Sequence, residues 1–478
     1  MARSQNPTKA VSSHFKKEPT IAPRLCASYP LDAMNQSPTH AERIAAAYDA
    51  EHFRQQGHAL VDTLADYLAA ASRGEGSPVV LPAPRQETAR WQERLAAPFS
   101  DLNALTREML GAAVHQHHPG YVGHQVSAPL PEMALCELTA ALLNNGMAVY
   151  ESGPLSTALE KVGLRWLCEQ AGFGPQSGGV LTSGGSLGNL TALLAARQAR
   201  GGGNPWVEGN PQHLAILTST EAHYCVGRSA RIMGLGDQGV ITAPVDDRFR
   251  LRAEALAATY EQAQAQGKRI FAVVACAGST STGAIDPLDE IADFCQAKGL
   301  WLHVDGAHGA SLVLSAEHRE ALRGLSRADS LVWDLHKMMM APSITTAVLY
   351  QRESEGYGAF AQQAPYLFPG DDAPDANVGL RTLECTKRMM SLKLYATLAL
   401  HGPALFESYV SRVMQLRSAL VEMLRARSVF RLAVEPDLNI VCFRYQPSGV
   451  ADLNALQDEL RQRVIARGGF YLVRTQLR

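Results

Sequence analysis

The chain has no CxxC pair and no close-set cysteine spacing; its eight cysteines are scattered, which excludes the framework of a small secreted disulfide protein and suggests no metal site. Reduced thiols in a cytoplasmic protein are the expectation. Nor is there charge of one sign to spare. Lys and Arg total 44 against 46 Asp and Glu, a net charge of −2, and no extended Lys/Arg block is present, so a nucleic acid is not an expected partner. No uninterrupted apolar run reaches the roughly 18 residues that a membrane-spanning helix needs. Internal repeats and long low-complexity segments are missing too. The basic opening "MARSQNPTKAVSSHFKKEP" lacks the apolar centre of a secretory signal. It reads as a disordered leader, taken as residues 1–40, with Met34 as an alternative start and a transit peptide as the alternative reading.

What is present is ordinary for a globular protein of two or three domains: 478 residues, 46% of them hydrophobic and 19% charged. Apolar residues recur at helical spacing through "FRQQGHALVDTLADYLAAA", which predicts one long amphipathic helix over about 41–73 in a helical N-terminal segment, residues 41–125. In the middle, short β-branched runs such as "GGVLTSG", "LAILTST", "IFAVVACAG" and "LWLHVDGA" alternate with helical stretches. That alternation predicts an α/β domain, residues 126–400, with a mostly parallel, helix-covered central sheet and functional residues just after its strand ends. A long helix and three short strands over 401–478 form a smaller α+β domain.

One lysine raises the functional question. In "SLVWDLHKMMMAPS", Lys337 stands in an otherwise almost wholly apolar run, where an ammonium must be paired, reach solvent, or be covalently occupied. The methionines after it are core packing. Two other stretches bear on Lys337. "GGVLTSGGSLGNLTALLAAR" is a strand running through a Ser/Gly turn into a helix, which brings backbone N–H groups and the hydroxyls of Ser183 and Ser186 to a positive helix terminus, a phosphate cradle. "WLHVDGAHGA" places Asp305 at a strand end, either as a simple turn cap or on the same sheet edge as Lys337, where the two opposite charges can share one ligand. Phosphate cradle, aspartate and lysine together meet the needs of pyridoxal 5′-phosphate: donors for its phosphate, an anion for its pyridine nitrogen and an amine for its aldehyde. His336 is placed to donate to the phosphate, His223 in "STEAHYCVGRSA" to lie against the ring, and Thr280 in "AGSTSTG" to sit near it; the alternatives are a structural histidine for His336, a hydrogen-bonding turn residue for His223 and an ST-turn for Thr280.

"TSGGSLGN", "EAHYCVGRSA", "AGSTSTGAIDPLDEIADFC", "WLHVDGAHGA" and "DLHKMM" occur in an order and spacing that resembles the group II pyridoxal-phosphate-dependent amino acid decarboxylases, over roughly residues 115–400. The resemblance implies the type I fold of pyridoxal-phosphate enzymes, with Lys337 as the Schiff-base lysine, Asp305 as partner of the pyridine nitrogen and His223 as the stacking residue. It implies Gly185, Ser186 and His336 at the phosphate, Thr280 close by, and Asp334 at a position where some members carry asparagine. "QQAPYLFPGDD" resembles the family's mobile lid, here 360–378, with Tyr366 matching the tyrosine tied to protonating the carbanion left by CO2 loss. "HHPGYVGHQVSAPLP" resembles its substrate-side segment, with His124 and Gln125 as polar contacts; Tyr150 and Glu151 either line the same pocket or cross a dimer seam. A homodimeric decarboxylase of a small polar amino acid follows as the expectation, with 2,4-diaminobutyrate ranked ahead of aspartate, glutamate and cysteine sulfinate. The family usually continues beyond "YLVRTQLR", so the small domain is expected to be incomplete. An aminotransferase or carbon–carbon lyase on the same scaffold and a catalytically silent binding protein are the alternatives.

Overall fold

The computed structural model describes residues 38–97, 99–360 and 376–477. Backbone contacts divide them into two units, one of residues 38–64 with 99–106, the other of residues 65–97 with 107–477.

In the first unit the expected single long helix is two, His40–Ala47 and the start of Ala50–Ser72. The break has a local cause. Asp49 accepts the backbone N–H of His52 at 2.6 Å, the bond of an N-cap, so a new helix starts there. Thr39 and Glu42 close a reciprocal capping box on the first helix.

The second unit is built on a seven-stranded sheet. The strands of the chain are β1 (Tyr121–Val122), β2 (Gly178–Thr182), β3 (Leu214–Ser219), β4 (Val240–Ala243), β5 (Arg269–Cys276), β6 (Trp301–Asp305), β7 (Ser330–Asp334), β8 (Thr346–Tyr350), β9 (Phe430–Leu432), β10 (Phe443–Tyr445) and β11 (Tyr471–Leu472). The sheet order is β2-β8-β7-β6-β5-β3-β4. The expectation of a mostly parallel sheet needs correction, because the sheet is mixed. β3–β4, β3–β5, β5–β6 and β6–β7 pair in parallel, whereas β8 runs against both neighbours, β2 and β7. Only residues 335–345 join β7 to β8, too few for the crossover helix that a parallel return would require.

Successive residues of a strand point to opposite faces, and here both faces are apolar. Leu181, Ala215, Leu217, Val273 and Ala275 enter one core with the helices Pro154–Gln170 and Leu288–Lys298. Their strand neighbours Val180, Leu214, Ile216, Ala272 and Val274 enter the other, against Gly185–Arg200 and Cys225–Ile232. Met338, Met339 and Met340 are buried in the first core, as packing residues.

After the sheet come the helix Ala404–Arg425, the antiparallel pair β9–β10 and the helix Leu453–Ala466. β11 pairs in parallel with β1. Among the described residues no helix is long and apolar enough to cross a membrane.

Candidate active site

The turns that follow β2, β3, β5, β6 and β7 at their C-terminal ends meet around a cavity of about 150 Å³. Gly185 and Ser186 reach it from the turn after β2, His223 from the segment after β3, and Thr280 from the loop after β5. Asp305 closes β6, Asp334 closes β7, and Lys337 follows three residues later. Gln125 reaches the cavity from the segment after β1 and donates from its amide nitrogen to the Thr280 carbonyl at 3.3 Å. Eight residues that the sequence points to, more than two hundred positions apart at the extremes, therefore line one cavity.

The remaining assignments do not all fall there. His336 is buried, but its Nδ1 lies 3.0 Å from the Thr345 carbonyl and its Nε2 lies 3.7 Å from Asp334 Oδ2, so the ring is held beside Asp334 rather than in the cavity wall. Ser183, expected to aim its hydroxyl at a phosphate, gives it instead to Glu384 at 2.7 Å. His124 Nε2 lies 3.3 Å from the Tyr471 hydroxyl, and Tyr471 in turn stacks on Tyr121, so the substrate-side segment is held by β11. Tyr150 and Glu151 are exposed on a short 3-10 turn and are not part of the cavity wall. Tyr366 and most of the lid segment lie outside the described residues.

Lys337 is paired. Its Nζ stands 3.2 Å from Asp334 Oδ2, and the Asp334 side chain is only 3% exposed. The other carboxylate oxygen of Asp334 accepts the Thr346 hydroxyl, whose residue faces Asp334 across the antiparallel β7–β8 ladder. A carboxylate has no N–H to offer an anion, and here it holds an ammonium. On the opposite wall, Asp305 accepts the Ala307 N–H on Oδ1 at 3.2 Å and the Asn189 amide on Oδ2 at 3.3 Å. Burial pushes the Asp305 carboxyl up, while the Lys337 ammonium and the Ala307 N–H pull it back. Burial also pushes the half-buried His223 imidazole down, against a smaller upward pull from Asp305, which favours its neutral form.

Several lining residues stand in or beside the quoted motifs without a chemical signal of their own that singles them out. Asn189 lies one helical turn beyond Gly185; Cys276 ends β5, and Gly278 and Ser279 belong to the loop after it; His308 belongs to the turn after Asp305. The repeated small residues around these positions are the one trace that was available, since they let groups approach the backbone. His308 is buried and gives its Nε2 proton to Asn439 Oδ1 at 2.7 Å, which ties the cavity wall to the segment before β10. Burial takes its imidazole down to about 4.

Below the cavity, His303 is fully buried and its imidazole is pushed down to about 3, from an ordinary 6.5, by burial. In the unfolded chain it takes a proton below 6.5; in the folded chain it does not. Its contribution to stability is complete above 6.5 and is lost as pH falls toward 3, with a slope of order 1.4 kcal/mol per pH unit. His303→Gln is expected to remove that part of the slope, read as a flatter dependence of the urea midpoint on pH between 4 and 6; an unchanged slope would contradict it.

The wall suits pyridoxal phosphate on two structural counts. Gly184 caps the 16-residue helix Gly185–Arg200 without a side-chain hydrogen bond, which leaves first-turn N–H groups for an anion beside the cavity. A Cβ on Gly185 would stand 2.9 Å from Asp334 Oδ2, so this approach admits only glycine without rearrangement. An amine, a carboxylate and an anion-binding helix end then surround one small space.

Comparison with known proteins agrees. The family model described as the pyridoxal-dependent decarboxylase conserved domain matches residues 92–446. An acidic amino acid decarboxylase of Homo sapiens is 31% identical over 396 residues, 78% of this chain and 74% of that protein. An L-2,4-diaminobutyrate decarboxylase of Acinetobacter baumannii is 30% identical over 385 residues, 77% and 75% of the two chains. The crystal structure of mouse CSAD superposes with a TM-score of 0.83 at 27% identity, covering 90% of this chain and 93% of that one. With three quarters of its length matched by such a model and the amine, carboxylate and helix terminus gathered at one cavity, the chain belongs to the pyridoxal-dependent decarboxylase family, a carboxy-lyase whose cofactor is pyridoxal 5′-phosphate.

Proposed function

We propose that the protein decarboxylates a small polar L-amino acid, with 2,4-diaminobutyrate ahead of aspartate, glutamate and cysteine sulfinate, and that the residues around the cavity divide the work. Lys337 offers its amine to the cofactor aldehyde, and Asp305 faces the ring nitrogen. Gly185, Ser186 and the helix N-terminus bind the phosphate, with His336 buttressing Asp334 behind them. His223 lies against the ring and Thr280 beside it, while His124 and Gln125 belong to the substrate side. Bound there, the cofactor supplies an electron sink for the pair left when CO2 departs. The chain itself orients the scissile bond, keeps Asp305 ionised, and returns a proton to the former α-carbon. His223 and Lys337 are the described groups within reach of that last task; Tyr366 is the lid residue assigned to it.

One observation supports the rank order of substrates. Lys337 is the only obligate cation among the described residues that line the cavity, and it faces two carboxylates, Asp305 and Asp334. A substrate with an amine side chain needs no further cation from this wall, whereas a side-chain carboxylate or sulfinate does. The relatives, an acidic amino acid decarboxylase and a diaminobutyrate decarboxylase, support the broader class of small polar substrates. The decisive experiment measures CO2 release from these four amino acids, with and without a keto acid acceptor. A kcat/KM for 2,4-diaminobutyrate roughly tenfold or more above the acidic substrates is expected. A preference for an acidic substrate would overturn the rank, and amino transfer without CO2 would overturn the reaction.

A homodimer is part of the same proposal. The helix Pro131–Leu143 leaves Leu135, Leu138, Leu142 and Leu143 exposed, an apolar face of the kind that a subunit interface covers. Sedimentation is expected to give about twice the 51.6 kDa chain mass, and a fully active monomer would contradict it.

A further inference from the structure

Behind Asp305 runs a chain of side-chain hydrogen bonds that the chemistry of the cavity does not by itself call for. His303 precedes Asp305 by two residues in β6, so both side chains lie on the same face of the sheet. Its Nε2 is 2.7 Å from Asn189 Oδ1 and its Nδ1 is 2.8 Å from Ser330 Oγ on β7. Ser330 Oγ also receives the Trp301 indole N–H at 2.8 Å, and the Asn189 amide nitrogen donates to Asp305 Oδ2 and, at 2.9 Å, to the Gly185 carbonyl. His303, Asn189, Ser330 and Trp301 are all buried.

Every proton in this chain has one place to be. The Asn189 nitrogen faces two acceptors, Asp305 Oδ2 and the Gly185 carbonyl; the flipped amide would set its oxygen against both. Asn189 Oδ1 must then accept, so the proton of neutral His303 is on Nε2 and Nδ1 is bare. Ser330 has therefore to donate its hydroxyl to Nδ1, while its oxygen accepts from Trp301. Donation runs in one direction from β7 through His303 to Asn189, and from the Asn189 amide into the carboxylate. Each bond polarises the next, and the end of the chain favours the ionised form of a carboxyl that burial pushes up.

We propose that Ser330, His303 and Asn189 are positioning residues that hold Asp305 ionised and aimed at the ring nitrogen of the cofactor, so that they set how strongly the protein distinguishes a protonated ring from one that cannot be protonated. This rests on the reading of Asp305 as the partner of that nitrogen.

The test is a binding measurement, not an assay of turnover. The apo-protein is titrated with pyridoxal 5′-phosphate and with its 1-deaza analogue, in which carbon replaces the ring nitrogen, and the ratio of the two dissociation constants is the readout. The wild type is expected to prefer the natural cofactor, and Asn189→Leu to lower that preference by roughly 10–100-fold, the range for a hydrogen bond to a charged group. Affinity for the deaza analogue is expected to change far less. His303→Gln, whose amide nitrogen replaces the lost Nε2 donor, is expected to retain most of the preference. Ser330→Ala, which alters no residue of the cavity wall, is expected to lose part of it and supplies the answer if Asn189→Leu does not fold. A preference within twofold of wild type in Asn189→Leu or in Ser330→Ala would overturn the proposal. A wild type with no preference, whose Asp305→Asn variant is unchanged, would instead overturn the role of Asp305.

Discussion

Lys337→Ala is expected to lose the visible absorbance band of the bound cofactor and to lower CO2 release by roughly 10³-fold or more, within the range for a group that moves protons as well as binding. The expectation follows from place and chemistry together. Lys337 is the one amine lining the cavity among the described residues, and Asp334 holds its Nζ at 3.2 Å with a carboxylate that is itself anchored by Thr346. Among the described residues of that wall, the Cys276 thiol and the serine and threonine hydroxyls can add to an aldehyde only reversibly, and Lys337 alone can condense with it to an imine. The variant should still fold, because the Asp334 carboxylate keeps its Thr346 bond and opens onto a space that water can enter. Far-UV dichroism checks the fold, the visible spectrum checks the cofactor, and a manometric or coupled CO2 assay checks the chemistry. A folded Lys337→Ala protein that keeps both the band and more than about a tenth of its activity would remove Lys337 from the centre of the site.

The largest effect on stability is expected away from the cavity, at Lys387→Met. The Lys387 ammonium is bonded to Glu160 and donates to the Leu181 carbonyl at 3.0 Å; Glu160 in turn takes the Leu181 N–H at 3.1 Å. Their side chains are 2% and 1% exposed. The pair thus clamps β2, just before the turn that leads to Gly185, to the helix Pro154–Gln170 and to the segment that carries Lys387. Burial pushes the Lys387 ammonium down and the Glu160 carboxylate pulls it back. Without the lysine, Glu160 is a buried charge with no counter-ion, a loss of about 3–5 kcal/mol, whereas a neutral pair is far cheaper. The urea midpoint of the folded protein should fall steeply in Lys387→Met and recover in large part in the double variant Lys387→Met/Glu160→Gln. A double variant no more stable than the single one would show that the two groups are not coupled.

The site and the clamp differ in how visible they are in the chain. Lys337 stands out because an apolar run has few ways to accommodate a cation, and Asp305 and the Gly184–Ser186 turn stand out because each ends a β-branched run at a recognisable turn. Those are local signals, carried by residues within ten positions of one another. Lys387 and Glu160 are 227 residues apart and sit among ordinary helical and loop residues, so no local pattern singles them out. His303 and Asn189 stand inside quoted motifs, but they are 114 residues apart and nothing local pairs them. Ser183 and His336 show the converse. Both have the right chemistry beside the right motif, and both hydrogen-bond elsewhere, to Glu384 and to the Thr345 carbonyl, because a rotamer is chosen by what surrounds it.

Strand and helix periodicity, the order of the turns and the amine, carboxylate and glycines they carry were legible in the residues, because hydrogen bonding along the chain and the alternation of apolar positions depend on near neighbours. That was enough for the family and its cofactor. The reversal of β8, the bond from Thr346 that anchors Asp334, and the one-way chain from Ser330 to Asp305 were decided only when the sheet was assembled. Each depends on which strands become neighbours and in which register, and on the burial that makes an unpaired proton or charge too costly to leave.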